Sequence, residues 1–255
     1  MFTTGLFAVG TLFALAATIR CAFTLRSRGV DPDMRIARTS RMAAAMLMVG
    51  ACALLAVEAG VVDADGHSIH QAAWLYIRMS VMGSALALQS MAVIWSYDKP
   101  KRPVNIRLTA AGAAVTGMLT LLLCHPEHLY VVHNAQHPEV ALYLLLYAGV
   151  LLFASRDIVW AEAAAARWQK HRRAGSRRRL AGHVLGVAGA VLLAAYGLLV
   201  AVYAVAMWAG AQWYTDTVRE GANLELLAFV VLTVAGMIFK SLGVAAGNQT
   251  AAVTA

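Results

Sequence analysis

The sequence predicts an all-α, polytopic membrane protein: a bundle of seven transmembrane helices with its N-terminus outside and its C-terminus inside. Three observations predict it. Of 255 residues, 60% are hydrophobic and 13% charged, about half the charge of an ordinary soluble domain, and the mean hydropathy is +0.65. The apolar residues gather in runs near bilayer length, about 20 residues for a helical crossing. The basic residues crowd into alternate connectors. This composition excludes a large soluble catalytic domain.

The runs follow in order: Thr4–Leu25, Met42–Val62, Ala73–Trp95, Leu108–Cys124, Val140–Trp160, Leu180–Trp208 and Leu224–Phe239. Each is apolar on all sides, as a helix in lipid must be, and none shows the alternation of a barrel strand. The fourth and seventh are the shortest. Before the first run, Met1-Phe2-Thr3-Thr4-Gly5 has no basic residue, so a retained span is expected there rather than a cleaved signal. Residues 1–240 form one transmembrane domain. Residues 241–255, small and weakly polar, are expected to be a disordered cytoplasmic tail.

Charge sets the orientation. The first connector carries Arg26, Arg28, Arg35, Arg38 and Arg41, and the third Lys99, Lys101, Arg102 and Arg107. The fifth carries Arg167, Lys170, Arg172, Arg173, Arg177, Arg178 and Arg179. The second, fourth and sixth hold one basic residue, Arg219, against six acids. Basic connectors stay in the cytoplasm, which implies a multi-pass protein of the bacterial plasma membrane. The net charge of +8 therefore reflects sorting, and nucleic acid is not an expected partner. Arg172, Arg173 and Arg177–Arg179 form a surface for anionic lipid headgroups, at about 1 kcal/mol per basic residue, or for a protein partner.

Motifs for chemistry are scarce. No H-E-x-x-H, G-x-S-x-G or P-loop occurs, and no histidine lies mid-span where a pair would hold haem. The cysteines Cys21, Cys52 and Cys124 form no C-x-x-C. No catalytic residue is assigned. Lys240 ends the seventh run, too close to the inner interface for a Schiff base, and is expected to snorkel to the headgroups. Arg156 and Asp157 are adjacent near the inner end of the fifth run; a local ion pair or a substrate contact could use them, and a packing role is the simpler account. Gly182-x-x-x-Gly186, with Gly189 and Gly197, gives the sixth run a small-residue face for close packing, inside the bundle rather than across a homodimer seam.

Two outer features could bind something. Glu58 and Arg78 lie about 6 to 10 Å deep at 1.5 Å per residue, on spans joined by a short connector. An unpaired charge at the bilayer centre costs about 2.5–3.5 kcal/mol. The two are expected to pair, as a structural staple or as the lining of an outward-facing ligand cavity. In the fourth connector, His125, His128, His133 and His137 stand among Cys124, Glu127 and Glu139. Imidazole, thiolate and carboxylate are ligands for Zn²⁺ or copper; a solvated polar loop is the more ordinary account of them.

Pro138-Glu139-Val140-Ala141-Leu142-Tyr143 running into Leu144-Leu145-Leu146-Tyr147, followed by the basic connector and the Gly-rich stretch from Arg179-Leu180-Ala181-Gly182 to Tyr196, resembles an actinobacterial family of integral-membrane proteins named after a mycobacterial locus. The resemblance implies a similar multi-span topology and supplies no catalytic residues. The functional expectation is a non-catalytic sensor, adaptor or assembly subunit. The alternatives are a small permease-like transporter with an outward cavity and a metal-dependent membrane enzyme built on the outer histidines.

Overall fold

The computed structural model describes residues 67–96, 101–124, 137–171, 177–211, 224–240 and 242, and all five described elements are α-helices. They are α1 (His67–Ser96), α2 (Lys101–Cys124), α3 (Pro138–His171), α4 (Arg177–Trp208) and α5 (224–240). The expected spans over 4–25 and 42–62, with Glu58, lie outside the described residues. Three helices are long and apolar enough to cross a membrane: Ile77–Ser96 of α1, Pro138–Lys170 of α3 and Arg177–Trp208 of α4. The chain is a membrane protein.

The helix ends have local causes. Pro103 lies in the first turn of α2, where its missing N–H costs nothing. Pro138 opens α3 at the position proline favours, and the His137 carbonyl accepts from the N–H groups of Val140 and Ala141, both at 3.1 Å. Glu139 adds an acid to that first turn, the favourable sign for a helix N-terminus. At the end of α4, Gly210 adopts φ +83°. The N–H of Gly210 bonds Met207 O, and that of Ala211 bonds Ala206 O. These two bonds close a Schellman cap, whose left-handed residue is usually glycine.

Helix α3 outruns its expected span. It has 34 residues, about 51 Å at 1.5 Å per residue, against a hydrocarbon core of about 30 Å. Past Trp160 it continues through Ala161, Glu162 and Ala163–Ala166, all strong helix formers with no glycine or proline to stop them.

This helix is also the centre of the bundle. Its inward stripe, Tyr143, Tyr147, Leu151, Ala154 and Ile158, is buried against Ile77, Val81, Ala85 and Leu88 of α1, Leu193 of α4 and Phe229 of α5. Steps of three and four residues keep these side chains on one face. Helix α4 turns Val184, Val191, Leu198 and Val205 outward, a seven-residue repeat that suits contact with lipid tails.

Candidate functional site

The two acids in the second half of α3 organise the site. Asp157 and Glu162 are five residues apart, about 7.5 Å along the axis and about 140° around it. One carboxylate therefore faces α1 and α2 while the other faces α4 and α5.

Asp157 is held from two helices. Arg107 Nε of α2 donates to its Oδ2 at 2.5 Å and Nη2 to its Oδ1 at 3.4 Å. Gln89 Nε2 of α1 donates to Oδ2 at 2.8 Å. Arg107 also reaches the Pro103 carbonyl and stacks near the Phe153 ring, 5.9 Å from its centroid. Both charged side chains are under a fifth exposed. An ion pair with Arg156 was one of the alternatives the sequence left open for Asp157. The structure decides against it: Arg156 is exposed, and the hydrogen bonds to Asp157 come from the neighbouring helices. Adjacent residues on a helix point about 100° apart, so a neighbour in sequence is poorly placed to pair.

Glu162 is shared between two bases. Its Oε2 lies 2.7 Å from Nδ1 of His183 on α4, and its Oε1 accepts from Nζ of Lys240 on α5 at 2.5 Å. Lys240 was expected to snorkel to the headgroups; it is instead buried, with 8% of its surface exposed. The physical reason is the extra length of α3, which brings a carboxylate to the depth of the lysine. Inside the bundle a charge-assisted bond replaces water.

Small residues permit this arrangement. A Cβ at Gly186 would meet the Glu162 carboxyl carbon at 3.0 Å, and one at Gly182 would stand 2.7 Å from the Gly236 carbonyl oxygen. A Cβ at Gly189 would reach 2.6 Å from Thr233 Oγ1. The glycine face thus packs internally, against α3 and α5, as its spacing suggested. Beside Glu162 and Lys240 lies a cavity of about 10 Å³, lined also by Thr233, Leu88, Met91 and Phe229.

A second polar group occupies the other end of the bundle. Arg78 stands over the Tyr143 ring, 5.7 Å from its centroid, a cation–π distance. Tyr147 meets Tyr196 edge to face at 6.4 Å. The Tyr143 and Tyr147 hydroxyls are buried without a hydrogen bond of normal geometry, although Arg78 lies within electrostatic range of both.

Few of the remaining predicted positions fall among the described residues. His137 is exposed just before α3, and His125, His128 and His133 lie outside the described residues. Among the described residues, no three His, Cys, Asp or Glu are grouped to hold a metal. Arg177 and Arg178 are exposed in the first turn of α4 and Arg179 is half-buried; Arg172 and Arg173 lie outside the described residues. Sequence reasoning passed over Glu162 and His183. A signal existed: Leu151, Ala154, Ile158 and Glu162 continue one stripe in steps of three and four, so Glu162 had to face inward. No family model, no curated protein and no solved structure matches this chain.

Proposed function

We propose that this chain is a seven-span plasma-membrane protein, N-terminus outside and C-terminus inside, acting as a sensor, adaptor or assembly subunit without catalytic machinery. One observation carries this reading: Asp157 and Glu162 are both engaged by cations from neighbouring helices. The space beside Glu162, about 10 Å³, is of the order of one water and excludes an organic substrate. Charges arranged this way clasp helices together. The exposed Arg177 and Arg178, with Arg172 and Arg173, would supply the cytoplasmic surface for anionic lipid or a partner.

A partner should be visible directly. Protein extracted from native membranes in lipid nanodiscs should carry one membrane or cytosolic protein at fixed stoichiometry. Arg177→Gln/Arg178→Gln should reduce its occupancy several-fold without unfolding the bundle. Homogeneous particles containing this chain alone would contradict the adaptor and favour the second reading, a small permease-like protein. The observation behind that reading is the polar cluster of Arg78 with Tyr143 and Tyr147, with Glu58 as its proposed counter-charge.

A further inference from the structure

The outward face of α3 carries two arginines with a tryptophan between them. Successive residues turn by about 100°, so Trp160 and Arg167 stand within about 40° of Arg156 around the helix. All three are exposed. Leu142 and Phe153 lie on the same side nearer the start of the helix, 48% and 43% exposed. The face is therefore apolar over its first half and cationic, with an indole, over its second. Trp160 ends the apolar run, at the level where tryptophans settle between lipid tails and headgroups.

The acids of the second half of α3 turn to other sides. Asp157 is bonded by Arg107 and Gln89 toward α2 and α1, and Glu162 meets His183 and Lys240 toward α4 and α5. Arg167 donates from Nε to the Ala163 carbonyl at 3.3 Å, which lays its side chain back along the helix toward Trp160. Ala163 is seven residues from Arg156, about 10 Å along the axis. An extended arginine side chain and one headgroup fill that gap.

We propose that Arg156, Trp160 and Arg167 form a binding site for the phosphate of an anionic phospholipid. The planar guanidinium groups present paired N–H donors that match phosphate oxygens. The Trp160 ring packs on the glycerol backbone, with its N–H as a further donor. The acyl chains run along the face past Phe153 and Leu142. Sign and depth both select this ligand: the phosphate is anionic, and in a bilayer it lies at the level of Trp160. A soluble acidic peptide would satisfy the arginines but leave the apolar half of the face without a partner.

The test is a lipid titration of the full chain in mild detergent, read as the rise of its unfolding midpoint. Phosphatidylglycerol should act at lower concentration than phosphatidylcholine, and inorganic phosphate should give no rise. Arg156→Gln/Arg167→Gln should increase the half-saturating phosphatidylglycerol concentration about thirtyfold, from two contacts each worth about a factor of five. Arg167→Gln alone should give about fivefold and leave the lipid-free midpoint unchanged, which keeps the test valid if the double variant folds poorly. Equal half-saturation by phosphatidylcholine would overturn the proposal, as would an equal response to inorganic phosphate. So would a loss of lipid response in Arg177→Gln/Arg178→Gln with none in Arg167→Gln, because the lipid would then sit on the first turn of α4.

Discussion

Gly182→Ala should lower the stability of the bundle by about 3 kcal/mol, the upper part of the range for overpacking. The added methyl would lie 2.7 Å from the Gly236 carbonyl oxygen, 2.7 Å from Lys240 Cγ and 2.9 Å from the Lys240 backbone nitrogen. Two of these atoms are backbone and cannot rotate aside, so α4 and α5 must separate. Separation also draws Lys240 away from Glu162. The contrast is Gly149→Ala on α3, where a Cβ meets nothing within 4 Å. There the substitution should be neutral or slightly stabilising, since alanine is favoured over glycine in a helix by about 1 kcal/mol. Unfolding in a single detergent compares the two. Equal midpoints would mean that the α4–α5 contact is loose.

Arg107→Met should be the second large loss, on the order of 2 kcal/mol: stranding one member of a fully buried ion pair costs about 3–5 kcal/mol, and this pair is part-buried. Asp157 would retain the amide of Gln89 but no cation from α2. The double variant Arg107→Met/Asp157→Leu should recover much of the loss, because no buried charge then remains. A double-mutant cycle measures this. Additive single losses would show that the bond at 2.5 Å contributes nothing to stability.

How far the sequence reveals such contacts depends on their range. The apolar runs over 73–95, 140–160 and 180–208 correspond to the three helices able to cross a membrane, observed over Ile77–Ser96, Pro138–Lys170 and Arg177–Trp208. Hydropathy registers the lipid-facing length of a helix. It does not register the segment after Trp160, where alanines and charges keep α3 helical beyond the apolar run. The site depends on that segment. Without it Glu162 would be assigned to a connector, and Lys240 would have only headgroups to meet. Glycine spacing identified the packing face of α4 because a small-residue repeat constrains any partner helix. The pairing of Glu162 with His183 and Lys240 spans 21 and 78 residues and depends on helix arrangement, which no local pattern encodes. Arg78 was recognisable as a buried charge, but its tyrosine surroundings come from α3 and α4 and were not.

The membrane-crossing order of the helices decides which end of the bundle faces the cytoplasm. Reporter fusions after Asp65, Arg102, Asn134, Ser176, Asp216 and Ala255 measure it in living cells. The predicted result alternates outside and inside from the first to the last, which places Glu162, His183, Lys240 and the Arg177–Arg179 turn near the cytoplasmic face. A cytoplasmic signal from the Asn134 fusion would contradict it, because α3 would then begin on the wrong side of the membrane.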